Sequence, residues 1–166
     1  KKYPLKQSEK YTYLDSPLKG LVKTYTDQLG NVTTYKYETH ALVEGSKNIY
    51  DPNIHQITNQ NGAITKFTYE EQKCLWLPTK IEVFNSNSED ALKTIYYSYN
   101  NMGVKTSEAI TYNNQTFDQA FKTSYTLNNL NQIKVLTDAE GNSTEFTYSP
   151  NMQRINIKYP SVDGIT

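Results

Sequence analysis

Apolar and polar residues alternate with a period of two through most of this chain, and the pattern restarts after three similar phrases. "TDQLGNVTTYKYE", "TNQNGAITKFTYE" and "TDAEGNSTEFTYS" align on Gly30, Gly62 and Gly141. Asp27, Asn59 and Asp138 stand three residues before the glycine, and Val22, Ile54 and Ile133 stand eight before it. Thr33, Tyr35 and Tyr37 follow the first glycine at offsets three, five and seven. Thr65, Phe67 and Tyr69 follow the second at the same offsets, and Thr144, Phe146 and Tyr148 the third. The positions between them are polar: Thr34/Lys36, Lys66/Thr68 and Glu145/Thr147. Side chains two apart share one face of a strand, so each phrase predicts a strand with an aromatic face and a Lys/Thr/Glu face. Three matches at this many offsets make internal repetition the first finding.

An Asp or Asn three residues before a Gly can cap a type I turn, and the Gly can take the left-handed conformation that closes a short hairpin. Asp27, Gly30, Asn59, Gly62, Asp138 and Gly141 are therefore the predicted turn residues. Tyr35/Tyr37, Phe67/Tyr69 and Phe146/Tyr148 form the predicted aromatic ladder, placed to stack on adjacent hairpins. "YYSYNNMGV" (96–104) and "SYTLNNLNQI" (124–133) carry a second motif, with Asn131 standing where the former has Gly103. "YTYLDSPLKGLV" (11–22) is the same unit with a longer loop, and "YSPNMQRINIKY" (148–159) begins another. The best helical windows, "SNSEDALKTI" (86–95) and "DQAFKTSY" (118–125), are expected to lead into strands. The pattern predicts an all-β fold of repeated antiparallel hairpins forming a curved sheet, with helix under about 10%. No linker interrupts it, so residues 1–166 read as one segment.

The quoted "YNNMG" and "IYDP" phrases, with "DxxGNxTxYxY", resemble RHS repeats, also called YD repeats. "LPTKI" (77–81) is similar to a phrase that follows the tyrosine of such repeats. The resemblance is to bacterial Rhs and wall-associated polymorphic toxins, the BC components of insecticidal toxin complexes, and teneurins. It implies long hairpins spiralling into a hollow shell, which in bacterial members encloses a toxic C-terminal domain. It also implies a secreted or cell-surface location, with the bacterial cell wall favoured, and neighbouring repeats and a toxin domain as partners. The chain departs from the pattern in places. Tyr-Asp is literal at Tyr50-Asp51 alone, the stretch 70–96 fits poorly, and the Asp-Pro-x-Gly-Leu signature of self-cleavage is missing. Neither protease nor toxin activity is carried over.

Composition changes the picture in two ways. Basic and acidic side chains balance at 17 each, so the basic excess of a nucleic-acid binder is missing and no such partner is expected. Hydrophobic residues make up 36% of the chain, but 15 of its residues are tyrosines. Tyr, Thr, Val and Ile favour a half-buried pleated surface, which points to a thin β-rich fold. No apolar stretch is long enough to span a bilayer, and no signal core is visible at the first residues. The chain reads as a piece of something longer, since the repeat runs out mid-unit at 1–9 and 159–166 without a cap.

Candidate chemistry is sparse. Cys74 beside "LWLP" reads as a buried small hydrophobe, and a nucleophile there would need a base the sequence does not suggest. His40 and His55 lack partners at metal-ligand spacing, and "TDAEGN" lacks the oxygen run of a calcium loop. Asp15, Asp51 and Asp118 form no pair for acid–base work. No catalysis, metal or cofactor is expected. Asn31-Val-Thr33, Asn114-Gln-Thr116 and Asn142-Ser-Thr144 fit the N-glycosylation pattern, which bears on a eukaryotic secretory setting alone. The tyrosine ladder leaves two readings open: filling a thin core with the hydroxyl kept wet, or stacking on sugar rings as a cell-surface carbohydrate-binding sheet.

Overall fold

The computed structural model describes residues 8–16, 18–37, 53–70, 77–113 and 115–161. The protein is all-β there: twelve strands and one three-residue 3-10 turn, Phe117–Gln119. The chain forms two compact units, Lys1–Thr68 with Ile81–Leu92, and Tyr69–Lys80 with Lys93–Thr166. The first holds β1 (Lys10–Tyr13), β2 (Val22–Thr26), β3 (Val32–Tyr37), β4 (Ile54–Thr58) and most of β5 (Ile64–Tyr69). β6 (Pro78–Phe84) and β7 (Ala91–Tyr99) are each divided between the units. The second holds β8 (Lys105–Tyr112), β9 (Phe121–Leu127), β10 (Ile133–Thr137), β11 (Ser143–Tyr148) and β12 (Arg154–Lys158). Within each unit the sheet order follows the chain order, and the pairs described are antiparallel.

Short turns produce this meander because each strand can pair with the next before the chain travels far. The three glycine phrases share one register. Tyr25, Ile57 and Leu136, five before the glycine, lie opposite Thr33, Thr65 and Thr144, three after it. A one-residue slip would move every aromatic to the polar face, so this register holds the two faces apart. The helical windows resolve into strand: residues 86–90 form a turn leading into β7, and Asp118 and Gln119 complete the 3-10 turn before β9.

Little is deeply buried. Among the described residues the buried apolar side chains are Phe84 and Ala109, joined by Thr94 and Thr111. In the second unit Thr94 pairs with Thr111, and Tyr96 with Ala109. Phe117, in the 3-10 turn, meets Tyr96 edge-on at 5.0 Å and 82°. The ammonium of Lys80 stands 5.9 Å from the Tyr96 ring centroid. In the first unit the Lys66 ammonium stands over the Phe84 ring, 4.5 Å from its centroid. Packing of this kind replaces a thick core with single aromatic contacts.

Candidate functional site: a repeated clasped hairpin

Six turns share one construction. They begin at Asp27, Asn59, Asn100, Asn128, Asp138 and Ser149. In each, the first residue's N–H donates to the carbonyl four residues on, and its carbonyl accepts the N–H three residues on, at 2.8–3.1 Å. That is a type I turn followed by a left-handed residue. The left-handed position is held by Gly30 (φ +87°), Gly62 (+78°), Gly103 (+77°) and Gly141 (+88°). Asn131 (+59°) and Met152 (+63°) hold it in the other two. Met is the unexpected occupant, because its Cβ crowds the following carbonyl there.

The first side chain locks the turn. Asp27 Oδ1 accepts the N–H groups of Leu29 and Asn31 at 2.8 and 2.9 Å. Asn59 Oδ1 does the same for Asn61 and Ala63, and Asp138 Oδ1 for Glu140 and Asn142. Asn100 and Asn128 repeat the arrangement. Asp27 and Asp138 use the second oxygen as well, accepting the amides of Asn31 and Asn142. The Asn31 backbone N–H holds the Asp27 carboxyl below its ordinary range, and the Asn142 side-chain amide does the same for Asp138.

At the far end of the hairpin the repeat's last tyrosine closes a clasp. The Tyr37 hydroxyl donates to the Val22 carbonyl at 2.9 Å, and the Tyr148 hydroxyl to the Ile133 carbonyl at 2.8 Å. These acceptors are the residues eight before the glycine, so the two outermost repeat positions meet. The Tyr99 hydroxyl reaches the Pro78 carbonyl at 3.0 Å in the same manner, which extends the device to "LPTKI". The strand register shifts immediately before Tyr37, Tyr99 and Tyr148. A bulge at that point turns the side chain and sharpens the local twist. Burial pushes the Tyr37 phenol up, with Tyr35 adding to the effect, so the proton that makes the bond is held.

Tyr35, Tyr37, Phe67, Tyr69, Phe146 and Tyr148 are all half-buried. Tyr35 lies opposite Ile57, and Phe146 opposite Ile157. Arg154, across from Tyr148, stands 5.7 Å from the Phe146 ring. In the second unit Lys105 sits 5.4 Å from both the Tyr97 and Tyr125 rings and pairs with Glu108 at 2.7 Å. Neighbouring turns are also tied there. Asn100 donates to Asn131 Oδ1 at 2.8 Å, Asn131 to Met102 Sδ at 3.0 Å, and Gln132 to the Met152 carbonyl at 3.0 Å. Neither these cations nor the inter-turn amides are marked by the repeat pattern. A lysine flanked by tyrosines on the two neighbouring strands was the available signal for Lys105.

Among the described residues no three His, Cys, Asp or Glu side chains group to hold a metal ion. Among the described residues no helix is long and apolar enough to cross a membrane. Asp118 lies in the 3-10 turn, and His55 borders an open depression with Lys36, Gln56, Lys66 and Glu82, where both charges mix. Cys74, His40 and the Tyr50-Asp51 phrase lie outside the described residues.

No family model and no curated protein matches the chain. Solved structures do. Over 91% of its length the chain is similar to a chain of the Photorhabdus luminescens Tc holotoxin pore carrying a TccC3 mutation, at 16% identity and a TM-score of 0.56. It is similar over the same share to chains of the TcdB2-TccC3-Cdc42 and TcdB2-TccC3-TEV structures, at 15% identity each and TM-scores of 0.54 and 0.53. In all three cases it spans 9% of the matched chain. The likeness shows that the chain shares its fold with a stretch of these Tc toxin chains, and the sequence resemblance to RHS repeats points to the same group.

Proposed function

We propose that this chain is a structural section of an RHS-repeat β-shell, one repeat segment of a longer protein, and that it performs no catalysis of its own. The observation that carries the reading is the recurring clasped hairpin, which spends the repeat's chemistry on holding shape. Asp27, Gly30, Asn59, Gly62, Asp138 and Gly141 build turns, and Tyr37 and Tyr148 close hairpins. The thin core supports it as well, since repeat units gain burial by stacking on neighbours. The likeness to short stretches of Tc toxin chains fits a shell that encloses or displays another domain, with a toxin domain and flanking repeats as its partners and a secreted or cell-surface setting.

The test is to compare the chain alone with the chain extended by its flanking repeats. The extended protein should unfold cooperatively at a higher temperature and co-purify with the domain it encloses when both are expressed. Glycan binding by the isolated chain, lost in Tyr35→Ala and Phe146→Ala with folding intact, would instead establish the carbohydrate-binding reading.

A further inference from the structure

Asn61-Gly62 is the one Asn-Gly step in the chain. Asn61 is exposed at the third position of its turn, and its backbone N–H is held by Asn59 Oδ1 at 3.0 Å. Its side-chain amide makes no hydrogen bond among the described residues, whereas the amides of Asn31, Asn100, Asn128, Asn131 and Asn142 are all engaged. Asn151 provides an internal contrast. It occupies the same position of an equivalent turn and is also exposed, but Met152 follows it.

We infer that Asn61-Gly62 is a site of spontaneous covalent modification, in which the backbone nitrogen of Gly62 attacks the side-chain carbonyl carbon of Asn61. A bond forms between that nitrogen and Cγ, the Gly62 amide proton passes to solvent base, and the side-chain nitrogen leaves as ammonia. Water then opens the resulting succinimide at either carbonyl, giving an aspartyl or an isoaspartyl linkage. No oxidant or enzyme is needed. Gly62 has no side chain to shield its nitrogen, which is why this step is favoured over the one at Asn151. The Gly62 N–H donates to the Asn59 carbonyl at 3.0 Å, so attack requires the turn to open and its rate follows that opening.

The site lies against another turn of the same unit. A Cβ built on Gly62 would meet Ser86 Cβ at 3.2 Å, while the equivalent positions at Gly30 and Gly141 meet nothing within 4 Å. An isoaspartyl linkage adds a methylene to the main chain beside that contact and introduces one negative charge. The modification therefore changes the spacing of two turns as well as the net charge.

The purified protein is incubated at mildly alkaline pH and mapped by peptide mass spectrometry, with isoaspartyl detected separately. Asn61 is expected to convert several-fold faster than Asn151 and Asn142, with a mixture of isoaspartyl and aspartyl products. Conversion of Asn151 at the same rate, or an Asn61 product that is aspartyl alone, would overturn the inference. Asn59→Ala, which frees the turn, should accelerate conversion at Asn61 and leave Asn151 unchanged; no acceleration would contradict the coupling to turn opening.

Discussion

Tyr37 and Tyr148 show how one atom changes a residue's role, because their rings could be replaced by Phe while their hydroxyls could not. Removing the hydroxyl leaves the Val22 or Ile133 carbonyl without its donor. Tyr37→Phe and Tyr148→Phe are each expected to lower stability by about 1 kcal/mol, the net worth of a part-buried hydrogen bond, as read by urea denaturation. Met152 offers the opposite case. At φ +63° it holds a conformation that strains a side chain, so Met152→Asn should raise stability by roughly 0.5–1 kcal/mol in the same assay. Asp27 and Asp138 add a pH dependence. Their carboxyls are depressed in the folded protein, so each contributes stability that is present above the ordinary aspartate range. That stability is lost as the pH falls through the lowered values. A Tm-against-pH profile should therefore drop on acidification, and the Asp27→Asn/Asp138→Asn variant should flatten the drop, since Asn59 fills the same role without titrating.

The hairpin is the element where sequence and structure are easiest to compare. Period-two alternation and an Asx-to-Gly spacing of three are local signals, and both survive in any sheet these residues join. All-β architecture was legible for that reason. The clasp was only half legible. Tyr37, Tyr69 and Tyr148 stand out at their offset, but a backbone carbonyl acceptor has no sequence signature, and Val22 and Ile133 look like ordinary strand residues. The bulge before each clasping tyrosine is invisible for the same reason, as any residue can be the extra one. The inter-turn bonds of Asn100, Asn131 and Gln132 depend on which turns become neighbours, which is a matter of topology. At this scale the glycines are tested individually. Gly30→Val and Gly141→Val should each cost on the order of 1 kcal/mol from the positive φ alone. Gly62→Val should cost more, because Ser86 also stands in the way of the new side chain.

For the whole molecule the decisive features are what the strands leave unfinished. Among the described residues β1 is paired with β2 and β12 with β11. Large apolar side chains remain exposed in both units, including Tyr13 and Leu29 in the first and Phe121 and Ile155 in the second. Repeat architectures in general bury such faces and edges against neighbouring units. As the proposed section of a shell, this chain would complete its packing against neighbours. Sedimentation of the isolated protein over a range of concentrations tests it directly. The mass is expected to rise with concentration, as edges and aromatic faces pair between copies. A monodisperse monomer at every concentration, unfolding in one cooperative transition, would contradict it and identify a free-standing module.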